Sequence, residues 1–522
     1  QQSHNEQARS FSIMQQQKSQ KHILIVGAGP GGLTAAMILA FRGFKVTVVE
    51  KEAKVGGRNA SIERGGYKFD TGPTFLMMKF LLDEVFEEAG RNLDDYVECT
   101  KLEPMYRLQF KDRAFEPTTE REAMLQQMDE CFPGSRDGYD KFMEVEKERY
   151  ESMYACLQKD YNSWTRYFSL DVLKALPKLS VGRSIFDVLG DYFKDDKLKL
   201  SFTFQSKYLG MSAWDCPGAF ALLPYIEHAF GVWHTKGGLS EISEAMGKVC
   251  VELGVDIRLG SPAKQLLLEG RKVCGAELAD GEEIHADEIV LNADFAYAMK
   301  NLVPPGTLKK YSPQKVDKKE YSCSTFMLYL GVDKIYDLPH HTIFFAEDYK
   351  TNIEEIFKVK TLSKDLSLYV RNASATDPTL APKGHSAIYV LVPVPNLTAP
   401  IDWEESEEPF REQVIRTLET TGGMTDLRKH IKEEIVYSPK TWENMNINFG
   451  ATFNLAHCLK QMMYLRPRNK FEELDNCYLV GGGTHPGSGL PMIYESGRIA
   501  ANLISRQHKV PFTSKNLQVQ PN

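Results

Sequence analysis

Apolar residues are grouped along this chain in patterns that change every few dozen positions. His22-Ile-Leu-Ile-Val26 is an unbroken apolar run, the mark of a strand buried on both faces. A glycine-rich turn follows over 27–32. Small apolar residues at 33–42 then read as a helix, which Gly43 ends, and 45–50 (Lys-Val-Thr-Val-Val-Glu) reads as a second strand. Together these make a strand–helix–strand unit of about thirty residues. Residues 78–195 are rich in Lys, Glu, Met and Leu and predict mainly helix, interrupted at Pro133-Gly134 and Pro177. Another helix is predicted over 240–253. Short β-rich segments follow at 255–259, 263–268, 272–278 and 289–293, with a turn at Asp280-Gly281. Further strands are expected at 324–332, 342–345, 367–371 and 387–394. Residues 477–483 read as a strand entering a glycine turn, and 490–506 as the closing helix. Residues 1–20 are Gln-rich without apolar periodicity, so a disordered tail is expected, with Met14 a candidate native start. They lack the apolar core of a secretory signal.

The first turn carries chemistry. Gly27-Ala28-Gly29-Pro30-Gly31-Gly32 fits GxGxxG between a predicted strand and a predicted helix. Gly27 suits the tight turn, Gly29 lets backbone approach a pyrophosphate, and Gly32 lets the helix pack on the strand. The helix start offers free N–H groups to phosphate. Glu50, 18 residues past Gly32, is placed to accept from ribose hydroxyls, which disfavours a 2′-phosphate and hence NADP. A second glycine pair, Gly56-Gly57, and Arg58 follow, and favour FAD over NAD: the pair lets the chain pass close to a dinucleotide, and Arg58 can neutralise phosphate. Lys51 and Ala263 are assigned to the same site. A late glycine loop, Gly481-Gly482-Gly483-Thr484-His485-Pro486-Gly487-Ser488-Gly489, runs into Leu490-Pro491-Met492 at a helix start. Gly482, Gly483, Pro491 and Met492 are expected at the flavin.

Composition narrows the classes. The 522 residues are 42% hydrophobic and 25% charged, ordinary values for a globular chain of several domains. A net charge of −7 argues against nucleic-acid binding as the main task. The nine cysteines form no CxxC pair, which fits a reducing compartment better than secretion. No transmembrane helix is predicted, because no run approaches 18 apolar residues. His340-His341 has no carboxylate or cysteine at ligand spacing, so it reads as structural and no metal is expected.

The N-terminal GAGPGGL…VVEKEAKVGGR and C-terminal YLVGGGTHPGSGLPMIYESGR resemble the bacterial-type carotenoid desaturases, the phytoene desaturase family. The likeness runs over residues 22–504. Further landmarks are Tyr208-Leu-Gly210, Pro224-Tyr225-Ile-Glu227, Gly231-Val-Trp-His-Thr-Lys-Gly237-Gly238, Asn292-Ala-Asp294 and Arg466-Pro467. The resemblance implies an α/β fold: a Rossmann-like FAD-binding domain, a mixed β-sheet substrate domain and a helical, membrane-facing region. The expected division is a tail (1–20), FAD-binding segments at 21–105, 230–300 and 470–510, a helical region at 106–229, a substrate domain at 301–469 and a C-terminal tail (511–522).

The implied activity is FAD-dependent desaturation of a linear carotenoid precursor, phytoene (C40) or diapophytoene (C30). The substrate would come from a membrane on which a cytoplasmic enzyme sits peripherally. Oxygen or a quinone would accept the electrons. The basic amphipathic stretch at 167–193 is expected to meet the bilayer or to cover the tunnel mouth. A polyene needs an apolar tunnel with aromatic walls, for which Phe204, Tyr208, Phe220, Tyr225 and Trp233 are candidates; such clusters are also ordinary core. Glu227, His485 and Glu495 are candidate proton acceptors. Alternatives sharing the motifs are a carotenoid isomerase or terminal oxygenase, an amine or porphyrinogen oxidase and, more distantly, a prenyl-protein carrier resembling Rab GDP-dissociation inhibitors.

Overall fold

The structure, a computed structural model, describes residues 21–159 and 175–514. The expected tail at 1–20, residues 515–522 of the C-terminal tail and residues 167–174 of the amphipathic stretch lie outside the described residues.

The first apolar run forms the strand His22–Val26, the centre of a five-stranded parallel sheet. Its neighbours are Glu288–Leu291 and Lys45–Val49, with Cys477–Leu479 and Asp256–Arg258 outermost. Helices cover one face of this sheet, and a small antiparallel sheet with the segment after it covers the other, which is why the run shows no polar alternation. The helix Pro30–Phe41 packs between Ser240–Glu252 and the closing helix Leu490–Gln507. Its approach to the closing helix is close: a methyl group on Gly497 would lie 2.5 Å from the Gly31 carbonyl oxygen. A small antiparallel sheet, Ala263–Glu269, Lys272–Leu278 and Glu283–His285, attaches beside the parallel one.

A seven-stranded mixed sheet forms the second body. Its order is Ile431–Tyr437, Ser324–Val332, Ser386–Val394, Leu368–Asn372, His341–Phe344, Arg107–Gln109, Ala114–Phe115. Only the pairing of His341–Phe344 with Arg107–Gln109 is parallel. Two of these strands correct the sequence reading. Arg107–Gln109 and Ala114–Phe115 fall in stretches read as helical, at 78–195 and 106–229; strands of three and two residues are too short to display alternation. Around them, 78–195 does hold the helices Lys79–Glu88, Arg121–Cys131 and Arg136–Leu157. The helix Trp403–Thr420 and the strand Ile431–Tyr437 are further elements that the apolar pattern does not predict. In the former, Pro409 and a dense run of glutamates mask a stripe of Trp403, Phe410, Val414, Ile415 and Leu418.

Period two sorts the sheet's faces. Phe326, Leu328, Leu330, Ile388, Val390 and Val392 pack against the Trp403–Thr420 helix. Thr325, Met327, Tyr369, Tyr389, Leu391 and Pro393 face the other way and floor a cavity. Among the described residues, no helix is long and apolar enough to cross a membrane.

Candidate functional site

Three distant segments converge at the carboxyl end of the central strand. Gly27 has φ +102°, and a side chain there would lie 2.9 Å from the Asn292 carbonyl oxygen. Asn292 also donates its amide to the Gly27 carbonyl at 3.1 Å, holding the turn from below. Pro30 opens the helix, so the Gly31 and Gly32 N–H groups are the donors its first turn leaves for a phosphate. Gly57 crosses above, where a methyl group would come within 3.4 Å of the Gly29 Cα. Gly481 arrives from the far end of the chain, its backbone nitrogen 3.3 Å from where a Gly31 side chain would begin.

Glu50 is buried, 6% exposed, and its carboxylate accepts from Ala28 N–H at 2.7 Å and Glu52 N–H at 2.9 Å. Those bonds fix its orientation and leave lone pairs for ribose hydroxyls. Ser261 N–H donates to the Glu50 carbonyl at 2.8 Å, bringing the head of the Ala263 strand alongside. Lys51 turns out to the surface instead, on the Met445 carbonyl and Glu52, so the structure does not bring it to the cradle. Arg58 lines the cavity, donates to the Thr452 carbonyl at 2.7 Å and faces Asp294 at 3.8 Å. Burial lowers its pKa while Asp294 opposes that. The Asn454 amide joins the two, oriented to donate to Asp294 (2.7 Å) and to accept from Arg58 (2.9 Å).

Gly482 and Gly483 are pressed against Asn454 and the Phe295 side chain, which leaves no room for a Cβ at Gly483. Sequence reasoning missed what holds this loop. Arg466, fully buried, donates to the carbonyls of Gly482 (2.6 Å), Thr484 (3.1 Å), Leu455 and Gln461 (both 3.2 Å). Its only signal was an arginine in a landmark motif. Pro491 and Met492 begin the closing helix and line the cavity.

The cavity, about 350 Å³, lies between the sheet floor, the helices Arg136–Leu157 and Leu222–Phe230, and the 486–493 loop. Phe204, Tyr208 and Phe220 are in its wall; Tyr225 and Trp233 are not. Leu222, Leu223 and Ile226 present the cavity side of their helix, which turns Tyr225 onto Tyr150 and Phe230. Trp233 donates its indole N–H to the Phe230 carbonyl at 3.2 Å. Phe75, Tyr369, Tyr389 and Trp442 line the wall and were missed, although Tyr389 and Leu391 alternate visibly along their strand.

The three suspected proton acceptors fare differently. Glu227 is fully buried and accepts from the Tyr106 hydroxyl and the Gln205 amide, both at 2.8 Å. Burial raises its carboxyl to about 7, against the pull of Gln205, Tyr106 and Tyr208. His485 stands behind the cavity wall formed by Pro486, and its Nε2 meets the Lys159 carbonyl at 2.8 Å. Burial pushes it down to about 4, so it is neutral and serves the loop. Glu495 is a correction: both oxygens accept from Arg498, at 3.1 and 2.6 Å, and Arg498 also meets Glu84 and Glu88. The cavity reaches only the first turn of the closing helix, Leu490–Ile493, and Glu495, one turn deeper, is fully buried on Arg498. Arg498→Met is therefore expected to destabilise the fold by about 3–5 kcal/mol, since it strands buried carboxylates. Urea unfolding reads this; an unchanged midpoint would contradict the structural role.

His340-His341 joins a hydrogen-bonded network. His341 meets the Tyr369 hydroxyl at 2.7 Å and stacks on Phe75 at 4.1 Å, while His340 meets Thr376. Arg371 ties this group to Asp70 at 2.7 Å.

Comparison with known proteins matches residues 30–505 to the flavin containing amine oxidoreductases. The chain is 54% identical over 493 residues to a 4,4′-diapophytoene desaturase (4,4′-diapolycopene-forming) of a Methylomonas species, covering 94% of this chain and 96% of that one. It is 37% identical to an all-trans-zeta-carotene desaturase of Myxococcus xanthus, covering 94% of each. Among solved structures, an oxidoreductase from Methanosarcina mazei shares the fold at TM-score 0.60 and 16% identity, over 91% of this chain and 99% of that one.

Proposed function

The chain belongs to the flavin-containing amine oxidoreductase family, among its carotenoid desaturases, and on that premise we propose that it desaturates a linear C30 precursor of the diapophytoene type. The observation that carries the substrate class is the 54% identity across 94% of the chain to a diapophytoene desaturase. The protein is an FAD-dependent oxidoreductase. The residues fit that cofactor: a glycine cradle with no room for Cβ atoms, a helix start, a fixed carboxylate at Glu50 and Arg58. Gly27, Gly29, Gly31, Gly32, Glu50, Gly57 and Arg58 would hold the dinucleotide, and the 487–492 segment would meet the ring. The strands of the parallel sheet come from 21–105, 230–300 and 470–510, which supports an FAD domain built of those three pieces, with 301–469 supplying most of the substrate sheet.

When bound, FAD supplies the acceptor for a hydride from a C–H bond beside the polyene. The chain's own part is to grip an unmarked hydrocarbon and remove a proton. Aliphatic and aromatic walls hold it by shape. The aromatic rings of Phe75, Tyr208 and Tyr369 in the wall would steady allylic positive charge. Glu227, held by Tyr106 and Gln205 behind the wall in which Tyr208 stands, is assigned the proton. In this reading the enzyme rests on a bilayer, since lipid tails already solvate the substrate, and passes electrons to oxygen or a quinone.

Liposomes carrying diapophytoene or phytoene, with the flavin-loaded protein, test the chain length. The expected result is a lengthened chromophore in larger yield from diapophytoene. Yield from phytoene alone would overturn the C30 assignment, and flavin without chromophore growth from either would favour the isomerase or oxygenase reading.

A further inference from the structure

We propose that Lys207 makes one corner of the cavity a binding site for a carbonyl oxygen carried on an otherwise apolar ligand. The inference rests on the cavity being a polyene site, and goes beyond it, because a hydrocarbon gives this side chain nothing to bind. Lys207 lies on the 3-10 turn Phe204–Leu209 and lines the cavity near Cys323 and Leu368. Its ammonium donates to the Ser367 hydroxyl at 2.8 Å and sits 4.7 Å from the centre of the Tyr349 ring. Ser367 in turn donates to the Phe344 carbonyl at 3.2 Å. No carboxylate lies within salt-bridge distance of Lys207 among the described residues. The other basic chain in the wall, Arg58, faces Asp294. The ammonium has three hydrogens, and Ser367 takes one.

Holding a charged amine without a counter-ion in an apolar wall is costly, and burial accordingly pulls it down to about 7. Cys323, a neighbour that acts on it, is pushed up to about 12 by burial and stays a neutral thiol. An acceptor oxygen on a bound molecule would satisfy the remaining hydrogens where bulk water does not compete. Two apolar molecules carry such an oxygen: a polyene oxidised to an aldehyde at its end, and a quinone.

The test uses the flavin-loaded protein in detergent, a linear polyene hydrocarbon, the same chain with one terminal aldehyde, and a long-chain quinone. Affinities are measured for wild type, Lys207→Met and Lys207→Arg. The expected result is that wild type prefers aldehyde to hydrocarbon and that Lys207→Met lowers this ratio about tenfold. Lys207→Arg, still a donor, keeps part of it. Using the ratio cancels any general damage to the cavity. Cyanoborohydride adds a positional readout. The free amine attacks the aldehyde carbon, a C–N bond forms, water leaves, and the reagent's hydride reduces the imine to a secondary amine. Peptide masses should place that adduct on Lys207. Loss of quinone affinity without loss of aldehyde preference would keep the carbonyl site and assign it to the electron acceptor. No change for either ligand would overturn the proposal. Failure of wild type to bind the hydrocarbon would count against the polyene reading alone, with the quinone arm still deciding Lys207.

Discussion

Replacing Gly32 with alanine is expected to strip the protein of its flavin. A methyl group at this position overlaps the Gly27 carbonyl oxygen and meets the Asn292 amide at 2.8 Å. The overlapped atom is backbone in the phosphate turn, so it cannot swing away as a side chain would. The turn must open, and with it the pocket formed by Gly29, Gly31 and the crossing Gly57. The N–H groups at the helix start then lose their common aim at the pyrophosphate. Flavin absorbance per protein should fall at least tenfold, with desaturation falling in step. Gly254→Ala is the control for backbone strain without a clash: its φ is +85°, unlike that of helical Gly32, and open space surrounds it. Equal flavin content in Gly32→Ala and wild type would mean that the turn does not cradle the cofactor.

The second large effect is expected at Glu227. If this carboxylate receives the proton, Glu227→Gln should slow desaturation about a hundredfold or more, the usual worth of a positioned base. Its raised pKa, about 7, gives the role a signature. The working form is deprotonated, so the wild-type rate should climb with pH through about 7, and the variant should lose that limb. Stability moves the other way. The folded protein holds the proton more tightly than the unfolded chain, so this contribution is complete below the ordinary carboxyl pKa of 4.5 and is lost as pH rises through about 7. Glu227→Gln should therefore gain stability over wild type at pH 8 and gain little at pH 5. A full rate with the pH limb intact would remove Glu227 from the mechanism.

The cofactor half of the molecule was legible because its chemistry is local. Gly27 to Gly32, Glu50 and Arg58 lie within a few dozen residues, and each needs a residue type that few other contexts demand. Strands buried on both faces also announce themselves as apolar runs, as at His22–Val26. The cavity was less readable because its wall is made by pairing across the chain. Tyr369 and Tyr389 come together only when Leu368–Asn372 pairs with Ser386–Val394. Phe75 reaches the same wall by stacking on His341. Aromatic clustering in sequence found Phe204, Tyr208 and Phe220 and equally suggested Tyr225, which helix phase turns away. Glu495 misled for a related reason. It follows the glycine loop by only a few residues, yet its partner Arg498 lies one turn further along and draws it inside. Arg466 stayed hidden because a buried arginine bonded to carbonyls leaves no acidic partner to find in the sequence.

The central claim is that electrons leave a polyene precursor for a flavin held in this cradle. One anaerobic turnover tests it most directly. Flavin-loaded protein is mixed with diapophytoene in lipid, without an acceptor, and the flavin and polyene spectra are followed together. The account predicts that flavin absorbance bleaches while a longer polyene chromophore grows, one new double bond for each flavin reduced. A flavin that stays oxidised in the presence of bound diapophytoene, or a chromophore that lengthens with no change in the flavin, would contradict it.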